Sequence, residues 1–243
     1  MLYFNEFSDV TYKFGDEVDP TVFQDISIFA EVVDQVKDDI TFLNSFTIQE
    51  GFRPDQVSQI LYDTPLHYWT FYLINDNIRE QGWPLIRNEF EEYIKKAFPN
   101  TTLTTRDSAL VTKFKVGQTV TGNSSGASGK IIKRNIDLGQ IIIEGIKNFR
   151  EAGETISSTN SAGSIESMVI ISSTKEFQSA SHYVDGNNQI VDIDFTVGPG
   201  GLLTEKTHED VYFAVNESLR DIAVIRPELV STLSSGFKQA IRG

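Results

Sequence analysis

Gly122-Asn123-Ser124-Ser125-Gly126 matches G-x-S-x-G, the spacing that presents a nucleophilic serine on a sharp strand-to-helix turn. Downstream, KIIKRNI has the β-branched pattern of a strand. The helix that such a serine needs is missing, so the stretch is expected to be a turn, and a hydrolase using Ser124 ranks only third among the functional readings. The same region brushes against a phosphate loop, G-x-x-x-x-G-K-[ST], and fails it twice: Ser124 stands where the first glycine belongs and Ile131 where the hydroxyl belongs. Asp185-Gly186-Asn187-Asn188-Gln189 resembles the opening of a calcium loop. With Ile190 at loop position six and Thr196 at twelve, it lacks both the glycine and the bidentate glutamate, and a hairpin turn is the better reading. The histidines His67, His182 and His208 lie in different segments, and none has a partner at helical spacing for metal binding or base catalysis. Carboxylate pairs cannot be argued from spacing, because 34 acids bring some together by chance. These residues call for no catalysis, cofactor or metal, and the chain is read as a non-enzyme.

Composition narrows the partners. The 243 residues carry a net charge of -13, which disfavours nucleic acid and anionic membranes alike, since both require a basic footprint. The absence of cysteine removes disulfides, thiolate metal sites and thiol nucleophiles. An apolar content of 40% suffices for ordinary cores. MLYFNEFSDV is acidic and lacks the apolar core of a signal peptide, and no apolar run approaches the roughly 20 residues that span a bilayer. A soluble protein, made where it works, is expected.

The segment that positions everything else is FRPDQVSQILYDTPLHYWTFYLINDNIREQGWPL, from Phe52 onward. Pro54 and Asp55 suit the first turn of a helix, and Asp63-Thr64-Pro65 repeats that start signal. Val57, Ile60 and Leu61 make the apolar face of the first helix, and Leu66, Trp69 and Leu73 that of the second; these six are the expected module core. Asn75-Asp76-Asn77 should end the pair. Residues 21–37 should contain a helix before it, and residues 85–98 a third helix with Ile86, Phe90, Tyr93, Ile94 and Ala97 inward.

Residues 1–20 form an arm whose aromatics, Tyr3, Phe4, Phe7, Tyr12 and Phe14, follow no clean period. Such a segment cannot make a core by itself, and the five rings are candidate anchors on a partner. Residues 113–172 show short β-branched runs and Gly/Ser/Asn turns, the pattern of a small barrel of about five strands. Within it, Phe149, Gly153, Glu154, Thr155 and Ile156 echo Phe114, Gly117, Gln118, Thr119 and Val120. Residues 173–243 return to the main body: a strand is expected over 191–197, a strand or extended segment over 211–215 and a short strand at Ile222–Val224, then a helix with Leu229, Val230, Leu233, Phe237 and Ile241 on one face.

The words RPDQVSQILY, HYWTFYLINDNI and GWPL resemble the wedge-subunit family of contractile-tailed phage baseplates, the product of gene fifty-three in T-even phages. The resemblance covers residues 40–99 well and 207–241 moderately, and omits 114–171. The helix pair is also similar to a LysM module, with its Asp, hydrophobic pair, Tyr, Trp and closing Asn. What the resemblance implies is an α+β fold: a LysM-like module over 21–112 with an extended N-terminal arm, an inserted small β-barrel and a C-terminal strand–helix segment. It also implies a structural role in the virion. The chain would join wedges into a six-fold ring, contacting other wedge, sheath-initiator and hub proteins and copies of itself, after assembly in the host bacterial cytoplasm. The alternative is a LysM-type module that binds peptidoglycan glycans.

Overall fold

The structure, a computed structural model, describes residues 9–15, 19–24, 37 and 40–242. It mixes helices and strands in an α+β fold. Two compact units divide the chain: Met1–Ile86 with Asn216–Gly243, and Arg87–Val215. The second is therefore inserted into the first, with wider bounds than the expected 113–172.

The described chain opens on an antiparallel ribbon, β1 (Asp9–Tyr12) with β2 (Thr21–Gln24). Residues 21–24 are thus strand, where a helix was expected over 21–37; residues 25–36 lie outside the described residues. After β3 (Leu43–Thr47), α1 (Pro54–Tyr62) starts at the proline and stops at Asp63, which is left-handed with φ 55°. A 3-10 turn, Pro65–His67, leads into α2 (Trp69–Ile74). Asn75 breaks the helix as expected, but α3 (Asp76–Gln81) resumes at once.

The buried faces differ from the expected stripes. Val57 is fully buried and Leu61 partly so, but Ile60 is 55% exposed, and Ser58 and Tyr62 face inward instead. The Ser58 hydroxyl donates to Thr64 O (2.7 Å) and accepts from His67 N (3.2 Å), which draws this side of α1 onto the turn. Leu66 is 61% exposed because it belongs to the 3-10 turn, whose tighter period is out of phase with α2. Phe71, Ile74 and Ile78 take the interior. Leu73 and Trp69 are only partly buried, Trp69 with its ring 5.3 Å from that of Phe237.

In the second unit α4 (Arg87–Ala97) buries Phe90 and Ile94 but exposes Tyr93, contrary to the expected face. Seven strands follow: β4 (Thr101–Thr104), β5 (Thr119–Gly122), β6 (Ser128–Asn135), β7 (Gln140–Ile143), β8 (Thr155–Thr159), β9 (Ile165–Val169) and β10 (Ser172–Lys175). They hydrogen-bond in the order β10-β4-β7-β6-β5-β8-β9. Since β9 runs almost directly into β10, one continuous segment pairs with β8 through its first half and with β4 through its second. The sheet thereby closes into a barrel around Leu103, Phe114, Val120, Ile131, Ile143 and Ile156. A barrel was expected, but its closing strands come from residues 101–104 and 172–175, at or beyond the expected boundaries.

The sequence echo has a geometric counterpart. Gly117, Thr119 and Val120 recur at a constant offset as Gly153, Thr155 and Ile156. Val120 pairs with Ser158, Thr121 with Ser157 and Gly122 with Ile156, so a pseudo-two-fold axis passes between Thr121 and Ser157. Equivalent side chains do equivalent work: Gln118 accepts from Lys115 N and reaches Thr159 O (3.5 Å), while Glu154 accepts from Arg150 N (2.7 Å) and reaches Ser125 N (2.6 Å).

A three-stranded sheet then forms from β11 (Ala180–Val184), β12 (Ile190–Val191) and β13 (Thr204–Thr207), followed by α5 (His208–Ser218). The strand expected over 191–197 ends at Val191, because the Asp194 carboxylate accepts from Thr196 N (2.9 Å) and from its hydroxyl (2.7 Å) and folds the chain into a turn. Residues 211–215 are helix, not strand. Thr207 and Asp210 cap α5 reciprocally, Thr207 N to Asp210 Oδ2 (2.9 Å) and Asp210 N to Thr207 Oγ1 (3.0 Å).

The chain returns as β14 (Asp221–Ile225), antiparallel to β3, and α6 (Pro227–Arg242), which buries Val230 and Phe237; the side chain of Ile241 lies outside the described residues. Between β3 and β14 the first unit thus places three helices, α1 to α3, with the barrel-bearing unit inserted after the third. Side chains close the outer edge of β14. The amide of Asn75 donates to Ala223 O and accepts from Ala223 N, both at 2.8 Å, and the Tyr62 hydroxyl donates to Ile225 O (3.0 Å). Burial pushes the Tyr62 phenol up to about 12, which keeps it a donor. A second buried asparagine, Asn216, grips the backbone of Leu85 in the same way, at 2.8 and 3.1 Å.

Candidate functional site

Every described side chain of the β1–β2 ribbon is exposed. Residues directly opposite in an antiparallel pair share a face, so Val10 lies beside Phe23 and Tyr12 beside Thr21. Phe14 joins them edge-on, 5.0 Å from the Tyr12 ring and 5.8 Å from that of Phe23. Tyr12 is 59% exposed and Phe14 51%. A lone two-stranded ribbon is marginally stable in water, and this one presents an aromatic face that is exposed among the described residues. Of the five rings read as anchors, Tyr12 and Phe14 are brought together here, while Tyr3, Phe4 and Phe7 lie outside the described residues. Val10 and Phe23 were missed. The available signal was the β-branched and aromatic run Thr21-Val22-Phe23 after Pro20, which the helical spacing further on obscured.

A second surface belongs to the barrel. An open groove of about 1010 Å³ crosses the outer faces of β5 and β8. Alternation along the two strands turns Val120 and Ile156 inward and Thr119, Thr121, Ser157 and Thr159 outward onto its floor. Lys115, Val116, Gln118, Asn160, Ile165 and Glu166 also line it. The Glu166 carboxylate accepts from Phe114 N (3.0 Å), Asn160 Nδ2 (3.2 Å) and Gln118 Nε2 (3.4 Å). These donors, the Phe114 amide foremost, hold it below the usual carboxylate range. No sequence motif flagged this surface; the alternating hydroxyls of T-V-T and S-S-T were its only trace.

The residues first suspected of chemistry serve the fold. Gly122–Gly126 is the β5–β6 turn, and Ser124 N (3.0 Å) and Ser125 N donate to the Glu154 carboxylate. Burial of Glu154 pulls its pKa up, but the Ser125 and Arg150 amides, with further help from Ser125 and Ser124, outweigh it and leave the group below its ordinary range. The Asp185 carboxylate likewise accepts from its own hairpin, at Asn187 N (2.8 Å) and Gln189 N (2.9 Å). The His67 ring stands edge-on to that of Tyr62 at 5.9 Å, and the His208 ring stacks on Phe98 at 4.5 Å. Burial lowers the pKa of both histidines. Among the described residues no group of three or more His, Cys, Asp or Glu side chains is placed to hold a metal ion. The sequence matches no family model and no curated protein. No helix among the described residues is long and apolar enough to cross a membrane.

Proposed function

We propose that the protein is a structural subunit of a phage tail baseplate wedge, joining neighbouring wedges into a six-fold ring through protein–protein contacts. The observation that carries this reading is the aromatic face of the β1–β2 ribbon. Tyr12, Phe14 and Phe23 are clustered and exposed, the properties of anchors that carry most of the energy of an interface. Seated in an apolar site on the next subunit, they make a heterologous contact of the kind that closes rings. The partners on this reading are other wedge, sheath-initiator and hub proteins and further copies of the chain, and the place is the virion, assembled in the host cytoplasm. A second reading, peptidoglycan binding by a LysM-like module, is supported by the two antiparallel strands that flank the helices of the first unit.

Tyr12→Ser combined with Phe23→Ser tests the first reading. Both side chains are exposed, so the purified variant should keep its circular-dichroism spectrum and lose incorporation into tails. A variant that builds particles at normal yield would refute the assembly role of the ribbon. Retention of the native chain on peptidoglycan fragments would favour the second reading.

A further inference from the structure

We propose that the groove over β5 and β8 binds a neutral oligosaccharide, at a site separate from both surfaces invoked above. Its floor is a double row of hydroxyls. Thr121 lies opposite Ser157, and the same register sets Thr119 opposite Thr159. The inner pair is engaged within the protein, Ser157 with Asn123 Oδ1 (2.9 Å) and Thr121 with Ser128 Oγ (3.2 Å). The hydroxyls of Thr119 and Thr159 make no hydrogen bond among the described residues, so sugar hydroxyls can replace their water without breaking a protein contact. Gln118 and Asn160 flank the floor in fixed orientations, their amides engaged with Glu166 and with backbone groups. Val116, 59% exposed, and Ile165, 79% exposed, line the groove and offer aliphatic surface to the C–H faces of a sugar ring.

Charge and topology exclude the competing classes. In a chain with 34 acids, the lining holds one carboxylate, already accepting three hydrogen bonds, and one lysine, Lys115. That is no cationic cluster for phosphate or nucleic acid. An extended peptide would need a free strand edge, but β5 lies between β6 and β8, and β8 between β5 and β9. The volume, about 1010 Å³, stands at the upper end of ordinary small-ligand sites and accommodates several sugar rings.

The test is a titration of the full ¹⁵N-labelled chain with maltohexaose, cellohexaose and chitohexaose, each to about 10 mM so that weak binding registers. At least one should move the amide signals of Thr119, Thr121, Ser157, Thr159 and Asn160. Thr119→Val with Thr159→Val removes the two unengaged hydroxyls and keeps the β-branched shape. Thermal stability should hold, and affinity should fall by about tenfold, the effect of losing two neutral hydrogen bonds. Thr119→Ser with Thr159→Ser should retain binding. No shift with any of the three sugars, shifts confined to the first unit, or unchanged affinity in the valine variant would each overturn the proposal.

Discussion

Asn75→Leu should destabilise the first unit by about 2–4 kcal/mol. The magnitude follows from the geometry of β14. Arg220 and Arg226 bond backbone to backbone with Ile48 and Phe42 at the two ends of the β3 pairing, and the alternation between them turns Ala223 N–H and C=O away from β3. Asn75, 9% exposed, satisfies both at 2.8 Å and also donates to Phe71 O at 2.9 Å. Leucine has nearly the same volume and no polar atoms, so it leaves a buried amide and a buried carbonyl unpaired, each costing about 1–3 kcal/mol. The gain from a more apolar side chain offsets part of this, which brings the upper end of the sum from about 6 to about 4 kcal/mol. Both tryptophans, Trp69 and Trp83, belong to the first unit, so indole fluorescence in a urea titration reports that unit alone. The midpoint should fall with the slope unchanged, and the Ala223 amide should lose hydrogen-exchange protection. A loss under about 0.5 kcal/mol with Ala223 still protected would refute the assignment of Asn75 as the edge cap.

The barrel should lose stability in acid. Glu154 and Glu166 both have depressed pKa values in the folded state, so their contribution is complete above the unfolded glutamate value of about 4.3 and is lost as pH falls through the folded values. Glu154→Gln should flatten that dependence in melts followed by circular dichroism, and an unchanged profile would show that the carboxylate is not the latch. Residues 100–176 should also fold alone, because Glu176 N donates to Asn100 O (2.9 Å) and Asn100 Nδ2 to Glu176 Oε2 (2.7 Å) at the neck where β4 and β10 begin and end. Dispersed amide signals from that fragment are the expected result. Deleting 113–172 instead strands β4 without β7 or a complete β10, and the remnant should aggregate.

Signals held within a few residues were legible in the sequence. Pro54 and Pro227 mark helix starts, and the turn at Gly122–Gly126 was evident from the strand pattern after it. What escaped was of two kinds. The Leu66 stripe failed because a 3-10 turn shifts the helical phase, and a hydroxyl, Ser58, turned one side of α1 inward. Val211, Phe213 and Val215 alternate like a strand, and only the cap Thr207-x-x-Asp210 disclosed the helix. The second kind was non-local. Nothing in T-T-L-T announces that it pairs with residues 140–143 and 172–175, and so closes the barrel. The exposed rings fared similarly: Tyr12 and Phe14 stood out by type, but Phe23 joins them only through the register of a ribbon.

Asn216 has a bearing on how the chain is made. Thr47 and Asp221 meet across 174 positions, so β3 waits on the ribosome until nearly the whole polypeptide has emerged. The second unit ends at Val215, just ahead of β14, and most of it can fold during synthesis, which proceeds at about 5–20 residues per second. Once it has, Asn216 can clasp the backbone of Leu85 and short-circuit the long excursion. The loop that β14 must close shrinks roughly fourfold, saving about 1.2 kcal/mol of closure entropy. The side chain that ends the detour thus makes the last strand a local partner of the first, and the vectorial order of translation becomes the order of assembly.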